Sequence, residues 1–290
     1  MPGWGRPRSR VGDGLVAGYG WITFLSDYGL DDTFVGVCHG VLARVAPGAR
    51  VIDLGHSVQA QDVRQGATVL AQSILYLPAA VHLAVVDPTV GTRRAPVAVE
   101  AGEHVLVGPD NGLLVWAAEA VGGIKRVVEL TNRDYQLPRV SKTFHGRDVF
   151  APVAAHVANG VDLADLGPEW DPERLVRLTP PTSTVDDDHI HGEVLLIDHF
   201  GNVSLNITRE QLESVGVVIG DRIEVRVGGR AFTLPFEETF GAVPVGRLVL
   251  HEDSFRTLTV AVNQGRASER LMVRGGDPVV LSRLATEAEG

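Results

Sequence analysis

Short runs of apolar, β-favouring residues alternate with longer segments of helical spacing in the first half of the chain. The pattern predicts strands at 21–26, 51–54, 81–86, 105–107 and 126–130. It predicts helices over 34–46, over 63–77, after Asn111 and over 147–158. Asp31 or Asp32 is placed to cap the first of these helices. Strands that alternate with helices predict an α/β domain with a mainly parallel sheet.

Several of the predicted strands stop on a polar residue close to a glycine. Asp27, His56, Asp87 and Asp110 each occupy such a position. Parallel strands end along one edge of a sheet, and open α/β sheets bind ligands in the crevice at that edge. The pattern therefore predicts one pocket lined by these four side chains.

The pattern changes after Arg177, where a segment rich in Pro, Thr, Ser and Asp begins. Beyond it the sequence predicts one helix at 209–215 and short strands at 192–207, 222–227, 231–236, 247–253, 257–265 and 278–284. Turn-separated strands of this kind are typical of an all-β barrel or sandwich. We therefore expect a flexible tail at 1–19, an α/β N-terminal domain at 20–178, a linker at 179–190 and a β-barrel-like C-terminal domain at 191–290.

The composition is that of a globular protein, since 44% of the 290 residues are hydrophobic and 21% are charged. A formal net charge of −10 argues against general nucleic-acid binding. No apolar run approaches the roughly 18 residues that span a bilayer, and the first residues lack the apolar core of a signal peptide. We therefore expect a cytoplasmic protein with no membrane segment. Cys38, the single cysteine, is expected to be a buried helix residue.

The polar residues at the strand ends support two site chemistries. One is a metal site of the kind found in phosphoesterases, with ligands from Asp27, His56, Asp87, Asp110 and His145. The other is a metal-free group of Asp87, Arg94 and His145 that positions one water, with a carboxylate to accept its proton. His145 precedes a predicted helix, and a helix N-terminus disfavours a protonated imidazole.

Seven segments of the chain resemble a known enzyme family. They are FLSDYGLDDTFVG, DLGHSVQAQDVRQGA, VVDPTVGTRR, VGPDNGLL, TFHGRDVFAPVAAHVANG, IDHFGNVSLNI and VAVNQG. In this order they are similar to the S-adenosyl-L-methionine hydrolases, also called hydroxide adenosyltransferases, which are relatives of the fluorinases and chlorinases. The resemblance implies an α/β N-terminal domain, a β-barrel-like C-terminal domain and a homotrimer. It also implies active sites between the N-terminal domain of one subunit and the C-terminal domain of the next, with no metal or organic cofactor.

The resemblance implies a catalytic role for three residues. Asp87, Arg94 and His145 match the Asp-Arg-His triad that marks the hydrolases. The halogenating relatives replace the aspartate with Tyr or a similar residue. They have a small residue or a hydroxyl beside an aromatic where this chain has His145 and Gly146.

The resemblance also implies substrate-binding residues. Asp27 matches the residue that binds the ribose hydroxyls, and Phe144 the aromatic residue beside the sugar, with Gly146 next to it. The remaining matches lie in the C-terminal domain: Asp198 for the methionine amino group, Ser254 for its carboxylate, Phe200 and Asn202 around adenine, and backbone near Asn263 and Gln264 at the adenine edge. Two positions depart from the family: Asp253, where Asn is frequent, and Gln61, where halogenases have an aromatic residue.

These observations predict hydrolysis of S-adenosyl-L-methionine to adenosine and L-methionine by attack of water or hydroxide on the ribose 5′ carbon. Three other functions stay open at this point. They are a nucleophilic halogenase acting on the same substrate, a non-catalytic trimer that binds adenosine compounds, and the metal-dependent phosphoesterase.

Overall fold

The computed structural model describes residues 18–284, which divide into two units between Leu178 and Thr179. Residues 1–17, most of the predicted N-terminal tail, lie outside the described residues, as do residues 285–290. Within 18–284, no helix combines the length and the apolar character needed to cross a bilayer.

The first unit is built on a six-stranded sheet with the order β2-β1-β3-β5-β4-β6. Its strands are β1 (Trp21–Ser26), β2 (Arg50–Gly55), β3 (Val81–Val85), β4 (Pro96–Ala101), β5 (His104–Pro109) and β6 (Ile124–Glu129). Its helices are α1 (Phe34–Val45), α2 (Val63–Ile74), α3 (Val115–Ala120), a π-helix (Gly146–Phe150), α4 (Ala151–Ala158) and α5 (Leu163–Leu166), with 3₁₀ turns at Arg133–Tyr135 and Pro172–Arg174. The pairs β1–β2, β1–β3 and β3–β5 are parallel, which confirms the predicted mainly parallel sheet.

Both faces of this sheet are covered by helices. Successive side chains of a strand point to opposite faces, so neighbouring residues of one strand are buried in different cores. Phe24 of β1 is fully buried in the core that β1 shares with α1 and α4. The next residue, Leu25, is fully buried in the other core, against α2 and α3. Burial of a side chain of this size stabilises the fold by about 1.5–3 kcal/mol. The result is a three-layer arrangement that fixes the carboxyl ends of the parallel strands at one edge.

Two details of the first unit differ from the sequence prediction. Strand β4 was not predicted, and it lies antiparallel between β5 and β6. Its sequence, PVAVEA, begins with proline and has two alanines, so its propensity for β structure is weak. The predicted cap of α1 by Asp31 or Asp32 is wrong, because Thr33 occupies the N-cap and makes no side-chain capping bond.

The second unit contains one antiparallel eight-stranded sheet with the order β11-β10-β14-β8-β9-β13-β12, and β7 pairs with β8. The strands are β7 (Thr184–Asp186), β8 (His189–Ile197), β9 (Val203–Thr208), β10 (Arg222–Val227), β11 (Arg230–Pro235), β12 (Leu248–Glu252), β13 (Thr257–Val262) and β14 (Pro278–Arg283). Two short helices, α6 (Arg209–Ser214) and α7 (Ala267–Leu271), and a 3₁₀ turn at Phe240–Ala242 complete it. A bridge from Phe236 to Leu250 joins the chain after β11 to β12, so the sheet nearly closes on itself. The predicted barrel-like architecture is thereby confirmed.

Part of the segment predicted as a linker, 179–190, is regular structure. Thr184, Val185 and Asp186 pair with the first residues of β8 in a hairpin. All three are exposed. The polar composition that indicated a linker therefore belongs partly to an exposed edge hairpin.

A buried histidine of β3 makes the stability of the first unit sensitive to acid. His82 is fully buried, and its Nδ1 lies 2.7 Å from Thr23 Oγ1 while its Nε2 lies 2.9 Å from His104 Nδ1. Burial, with a smaller contribution from His104, lowers the pKa of His82 from 6.5 to about 3. The unfolded chain therefore binds this proton at higher pH than the folded chain, and stability is lost as pH falls from 6.5 towards 3.

We expect His82 to account for about 2 kcal/mol of unfolding free energy lost between pH 7 and pH 5. In His82→Gln this part of the pH dependence should be absent. Denaturant unfolding followed by tryptophan fluorescence measures it in the first unit, because all four tryptophans precede residue 178. His191→Gln, at an exposed position of β8, is the matched control. An unchanged loss of stability in His82→Gln would contradict the assignment.

Candidate active site

Four polar residues follow parallel strands at one edge of the first sheet, as predicted. Asp27 follows β1, His56 follows β2, Asp87 comes after β3, and Asp110 follows β5. Their contacts differ. Asp110 Oδ1 accepts a hydrogen bond from Val176 N at 2.8 Å, so this carboxylate stabilises the loop around residue 176. Burial raises the pKa of Asp110.

Asp87, Arg94 and His145 come together at this edge. Arg94 Nε lies 3.2 Å from Asp87 Oδ1 and 3.1 Å from Oδ2, and Arg94 Nη2 also donates to Oδ2. Both side chains are only 6% exposed. Arg94 Nη2 lies 3.1 Å from His145 Nδ1, and the guanidinium carbon lies 5.1 Å from the centroid of the Phe150 ring. Because a buried charge is costly unless it is paired, the ion pair and its surroundings define one arrangement.

The turn after Asp87 brings Arg94 against the segment that carries His145. Thr89 Oγ1 donates to Asp87 Oδ1 at 3.3 Å, and Thr92 Oγ1 donates to Thr89 O at 2.8 Å. Gly91 has φ +78°, and a Cβ built on it would lie 2.4 Å from Lys142 O. Only glycine permits this backbone conformation together with this close approach.

Asp148 holds the segment that precedes and follows His145. Its carboxylate is fully buried, accepts from Ser141 N at 2.8 Å and pairs with Arg147 Nε at 2.6 Å. Burial raises the pKa of Asp148, but the hydrogen bonds from Arg147 and Ser141 outweigh burial and hold it below its usual value. The π-helix begins immediately after His145, where the sequence had predicted an ordinary helix from residue 147. π-Helical turns are frequent at functional sites.

The surroundings of His145 lower its pKa and so favour the neutral form of the imidazole. Burial and the nearby Arg94 lower its pKa from 6.5, and Asp87, Asp148 and a hydrogen bond to the Ser141 backbone offset this only in part. A guanidinium can only donate, so His145 Nδ1 accepts from Arg94 and the ring proton of the neutral imidazole is on Nε2. The shift of the pKa has the direction expected from the sequence, and burial is its leading cause.

Arg94 keeps one nitrogen for a ligand. Its Nη1 is buried and has no hydrogen-bond partner among residues 18–284. A buried donor on a cation is costly to leave unpaired. The two N–H groups of Nη1 are therefore available to an oxygen atom bound beside Asp87 and His145.

Aromatic residues lie next to this triad. The Phe144 ring packs edge-on against two other rings. Its centroid lies 5.7 Å from that of Tyr28 and 5.1 Å from that of Phe34. A Cβ built on Gly146 would lie 2.0 Å from the Tyr28 hydroxyl oxygen, so that hydroxyl occupies the space of a side chain at 146. Sequence reasoning missed Tyr28 as part of this site, although it directly follows Asp27. The signal was an aromatic residue between the strand-end Asp27 and Gly29.

Asp27 is tied to the loop that contains Gln61. Asp27 Oδ2 accepts from Gln61 N at 2.9 Å, and Gln61 has φ +68°. Among residues 18–284, the donor to this carboxylate is Gln61 N, which uses Oδ2 and leaves Oδ1 for other donors. This hydrogen bond thus joins the loop that follows β1 to the loop that follows β2.

In the second unit, three predicted residues share the turn between β8 and β9. Asp198 accepts from Asn202 N at 2.8 Å and from Asn202 Nδ2 at 2.7 Å. Phe200, between them, is exposed. The two polar side chains are thereby fixed against each other, and the aromatic ring projects from the turn.

Asn263 and Gln264 form the turn after β13. Asn263 Nδ2 donates to Val243 O at 2.6 Å, and Gln264 has φ +55°. Arg266 joins this turn to the one that carries Asp198, because its Nη1 donates to His199 O at 2.9 Å. Five of the six residues predicted in this unit therefore lie in two connected turns.

Ser254, the sixth, lies in the turn before β13 and is exposed. Its neighbour Asp253 directs its carboxylate at the strands, where Oδ2 accepts from the hydroxyls of Ser204, Thr257 and Thr259 at 3.1, 3.0 and 2.8 Å. Oδ1 accepts from two backbone N–H groups. The carboxylate of Asp253 thus stabilises the turn by accepting these hydrogen bonds.

The five side chains of the alternative phosphoesterase site do not form a metal-binding group. Among residues 18–284, the spacing needed to hold a metal ion is met by His39, Asp53 and His56, and of these only His56 belongs to that set. The triad of Asp87, Arg94 and His145 is the part of the strand-end cluster whose side chains contact one another. Chemically it offers a carboxylate, a guanidinium donor and an imidazole around one position.

Comparisons with known proteins relate both units of the chain to one family. The family model for the SAM hydroxide adenosyltransferase N-terminal domain matches residues 22–167, and the model for the C-terminal domain matches residues 192–280. A solved structure of an uncharacterized conserved protein from Thermotoga maritima is 38% identical, with a TM-score of 0.84 over 90% of this chain and 100% of that one.

Two curated relatives carry the names of two of the activities considered above. An (R)-S-adenosyl-L-methionine hydrolase from Salinispora tropica is 53% identical over 89% of this chain and 95% of its own length. A fluorinase from Actinopolyspora mzabensis is 29% identical over 90% of this chain and 97% of its own length. Since both domain models and a relative of more than half identity span most of the sequence, the chain belongs to the SAM hydroxide adenosyltransferase family.

Proposed function

We propose that this protein is an enzyme that hydrolyses S-adenosyl-L-methionine to adenosine and L-methionine. The observation that carries the proposal is the contact of the nearly buried Asp87–Arg94 ion pair with His145, with an unpaired Arg94 Nη1 beside it. Membership of the hydroxide adenosyltransferase family and the 53% identity to a hydrolase support it.

The proposed step is in-line attack of water or hydroxide on the ribose 5′ carbon. The new C–O bond forms as the bond from C5′ to sulfur breaks, and the sulfonium leaves as the neutral thioether of methionine. Asp87 accepts or orients the proton of the attacking water, and Arg94 Nη1 donates to its oxygen. His145 accepts from Arg94 through Nδ1 and so holds the guanidinium in position beside that water. The step uses no metal and no organic cofactor.

The remaining site residues are proposed to bind the substrate. Asp27 binds the ribose hydroxyls, since Oδ1 is free of the contact with Gln61. Phe144 and the backbone at Gly146 pack on the sugar, with Tyr28 as a neighbour. In the second unit we assign Asp198 to the methionine amino group, Ser254 to its carboxylate, Phe200 and Asn202 to adenine, and backbone near Asn263 and Gln264 to the adenine edge.

The configuration at sulfur is proposed to be part of the substrate definition. The name of the Salinispora relative specifies the (R) form of S-adenosyl-L-methionine. In-line displacement requires the methionine moiety to lie opposite the attacking oxygen. A site that holds both adenosine and methionine should therefore distinguish the two sulfonium epimers.

We propose a homotrimer in which each active site combines the first unit of one subunit with the second unit of the next. Support comes from the distribution of candidate residues, because the triad is in the first unit and most polar substrate-binding candidates are in the second. We also propose a cytoplasmic location, on the basis of composition and of Cys38, a free and buried thiol.

Two other functions are compared in the same experiment. A halogenase would place a halide at the 5′ carbon, and Asp87 and His145 disfavour it because a halide needs no base. A binding protein for adenosine compounds would hold the substrate with negligible turnover.

We expect S-adenosyl-L-methionine in ¹⁸O-labelled water to give adenosine labelled at its 5′ oxygen over many turnovers. The reaction is run with chloride and a strong chelator, with each sulfonium epimer separately, and analysed by mass spectrometry. Faster turnover of the (R) form would support the stereochemical assignment. A halogenated nucleoside or binding without turnover would contradict the hydrolase, and activity that needs the chelated metal would favour a metal enzyme.

Asp87→Asn and His145→Ala should each lower kcat by about 10²-fold or more, the scale of a lost general base. Asp87→Ala should do the same but also destabilises the fold by about 3–5 kcal/mol, since it leaves Arg94 buried without its partner. Steady-state kinetics and melting curves separate the two effects. Arg93→Ala, at the exposed neighbouring arginine, should be close to wild type. Near-wild-type kcat in both Asp87→Asn and His145→Ala would refute the triad.

Co-expressed Asp87→Asn and Asn202→Ala chains should recover activity that neither has alone. If each site is shared between subunits, random mixing gives about a quarter of the sites both wild-type halves. Light scattering should give three times the chain mass of 31.0 kDa. A trimer whose mixture stays inactive would place each site within one subunit, and a monomer would refute the assembly.

A further inference from the structure

We propose that His39, Asp53 and His56 form a binding site for a divalent transition-metal cation such as Zn²⁺. His39 is on α1, Asp53 is on β2, the edge strand of the first sheet, and His56 directly follows β2. None of the three belongs to the triad or to the proposed substrate-binding residues. The inference does not rest on the proposed function.

The ligand atoms already lie close to one another. His39 Nε2 is 2.8 Å from Asp53 Oδ1 and 3.1 Å from Oδ2, and His56 Nε2 is 3.1 Å from Oδ1. Zinc bonds of about 2.0–2.1 Å in tetrahedral geometry place ligand atoms roughly 3.3 Å apart. The two histidine–aspartate pairs therefore need to separate by only a few tenths of an ångström to admit the cation, and all three ligand atoms lie within 4.8 Å of one another.

His56 supplies the observation that indicates a ligand. Its side chain is only 3% exposed, and although Nε2 lies near Asp53 it has no hydrogen-bond partner within residues 18–284. A buried ring nitrogen without a partner is costly in a folded protein. A metal ion beside Asp53 would satisfy its lone pair.

The other nitrogen of His56 is held in the way that metal-binding histidines require. Nδ1 lies 2.8 Å from Ser26 Oγ, which also accepts from Tyr28 N at 3.3 Å. With Nδ1–H donating to Ser26, the lone pair of Nε2 is directed at the cation. The Phe24 ring, 4.6 Å from the His56 ring, forms an apolar wall behind the site.

The donor set favours a particular class of ion. Two imidazoles and one carboxylate suit Zn²⁺, Fe²⁺ or Ni²⁺ better than Mg²⁺ or Ca²⁺, which prefer oxygen ligands. His39 and Asp53 are 33% and 44% exposed, so water can complete the coordination. A bound cation would connect α1 to the edge strand, because its ligands come from both.

The test is a titration of the metal-free full-length protein with Zn²⁺ by calorimetry. We expect one equivalent per chain, a higher melting temperature with Zn²⁺, and a visible Co²⁺ spectrum of low coordination number. His39→Ala and Asp53→Ala, both at partly exposed positions, should weaken binding by at least about 100-fold, while Ser26→Ala should weaken it by about 10–100-fold. His191→Ala, at an exposed histidine of β8, should bind like the wild type.

Two results would overturn the site. One is the absence of saturable Zn²⁺ binding by the wild-type protein. The other is binding that His39→Ala and Asp53→Ala leave unchanged, because the metal would then be held elsewhere on the chain.

Discussion

The ion pair of Asp87 with Arg94 is the interaction on which the candidate active site depends. It joins the end of β3 to the last residue of the following turn, and Arg94 then contacts His145 on a distant segment. Two buried charges are tolerated only when they are paired and hydrogen-bonded. Gly91 allows the turn to approach Lys142, and Asp148 fixes the segment around His145. Each of these features serves to hold one charged pair out of water.

Much of the fold follows from short-range patterns. Strand and helix periodicity gave the parallel part of the first sheet and the all-β second unit, because each element buries a regular face. Strand β4 was not predicted, because its sequence starts with proline and has a weak propensity for β structure. The cap of α1 was misassigned because Asp31, Asp32 and Thr33 are adjacent and sequence spacing cannot separate them.

The site was predictable in part. The positions of Asp27, His56, Asp87 and Asp110 follow from the strand ends, whereas the pairing with Arg94 and His145 depends on tertiary contact. The residues alone offered this group as one of two site chemistries, and the family resemblance favoured it over the metal site. The fate of Asp253 could not be predicted, because its five hydrogen bonds come from β9, β13 and the turn between β12 and β13. The carboxylate of Asp253 is therefore engaged within its own unit, and it does not oppose the proposed binding of the methionine carboxylate at Ser254.

The contact of Gly146 with Tyr28 limits the order in which substitutions can accumulate in this family member. A side chain at 146 would need the volume that the Tyr28 hydroxyl occupies. A change from glycine to serine, of the kind that would bring a hydroxyl beside position 145, therefore becomes sterically acceptable only after residue 28 has lost its own hydroxyl or moved. The side chain at position 28 therefore sets the size limit at position 146, and the two positions have to change together.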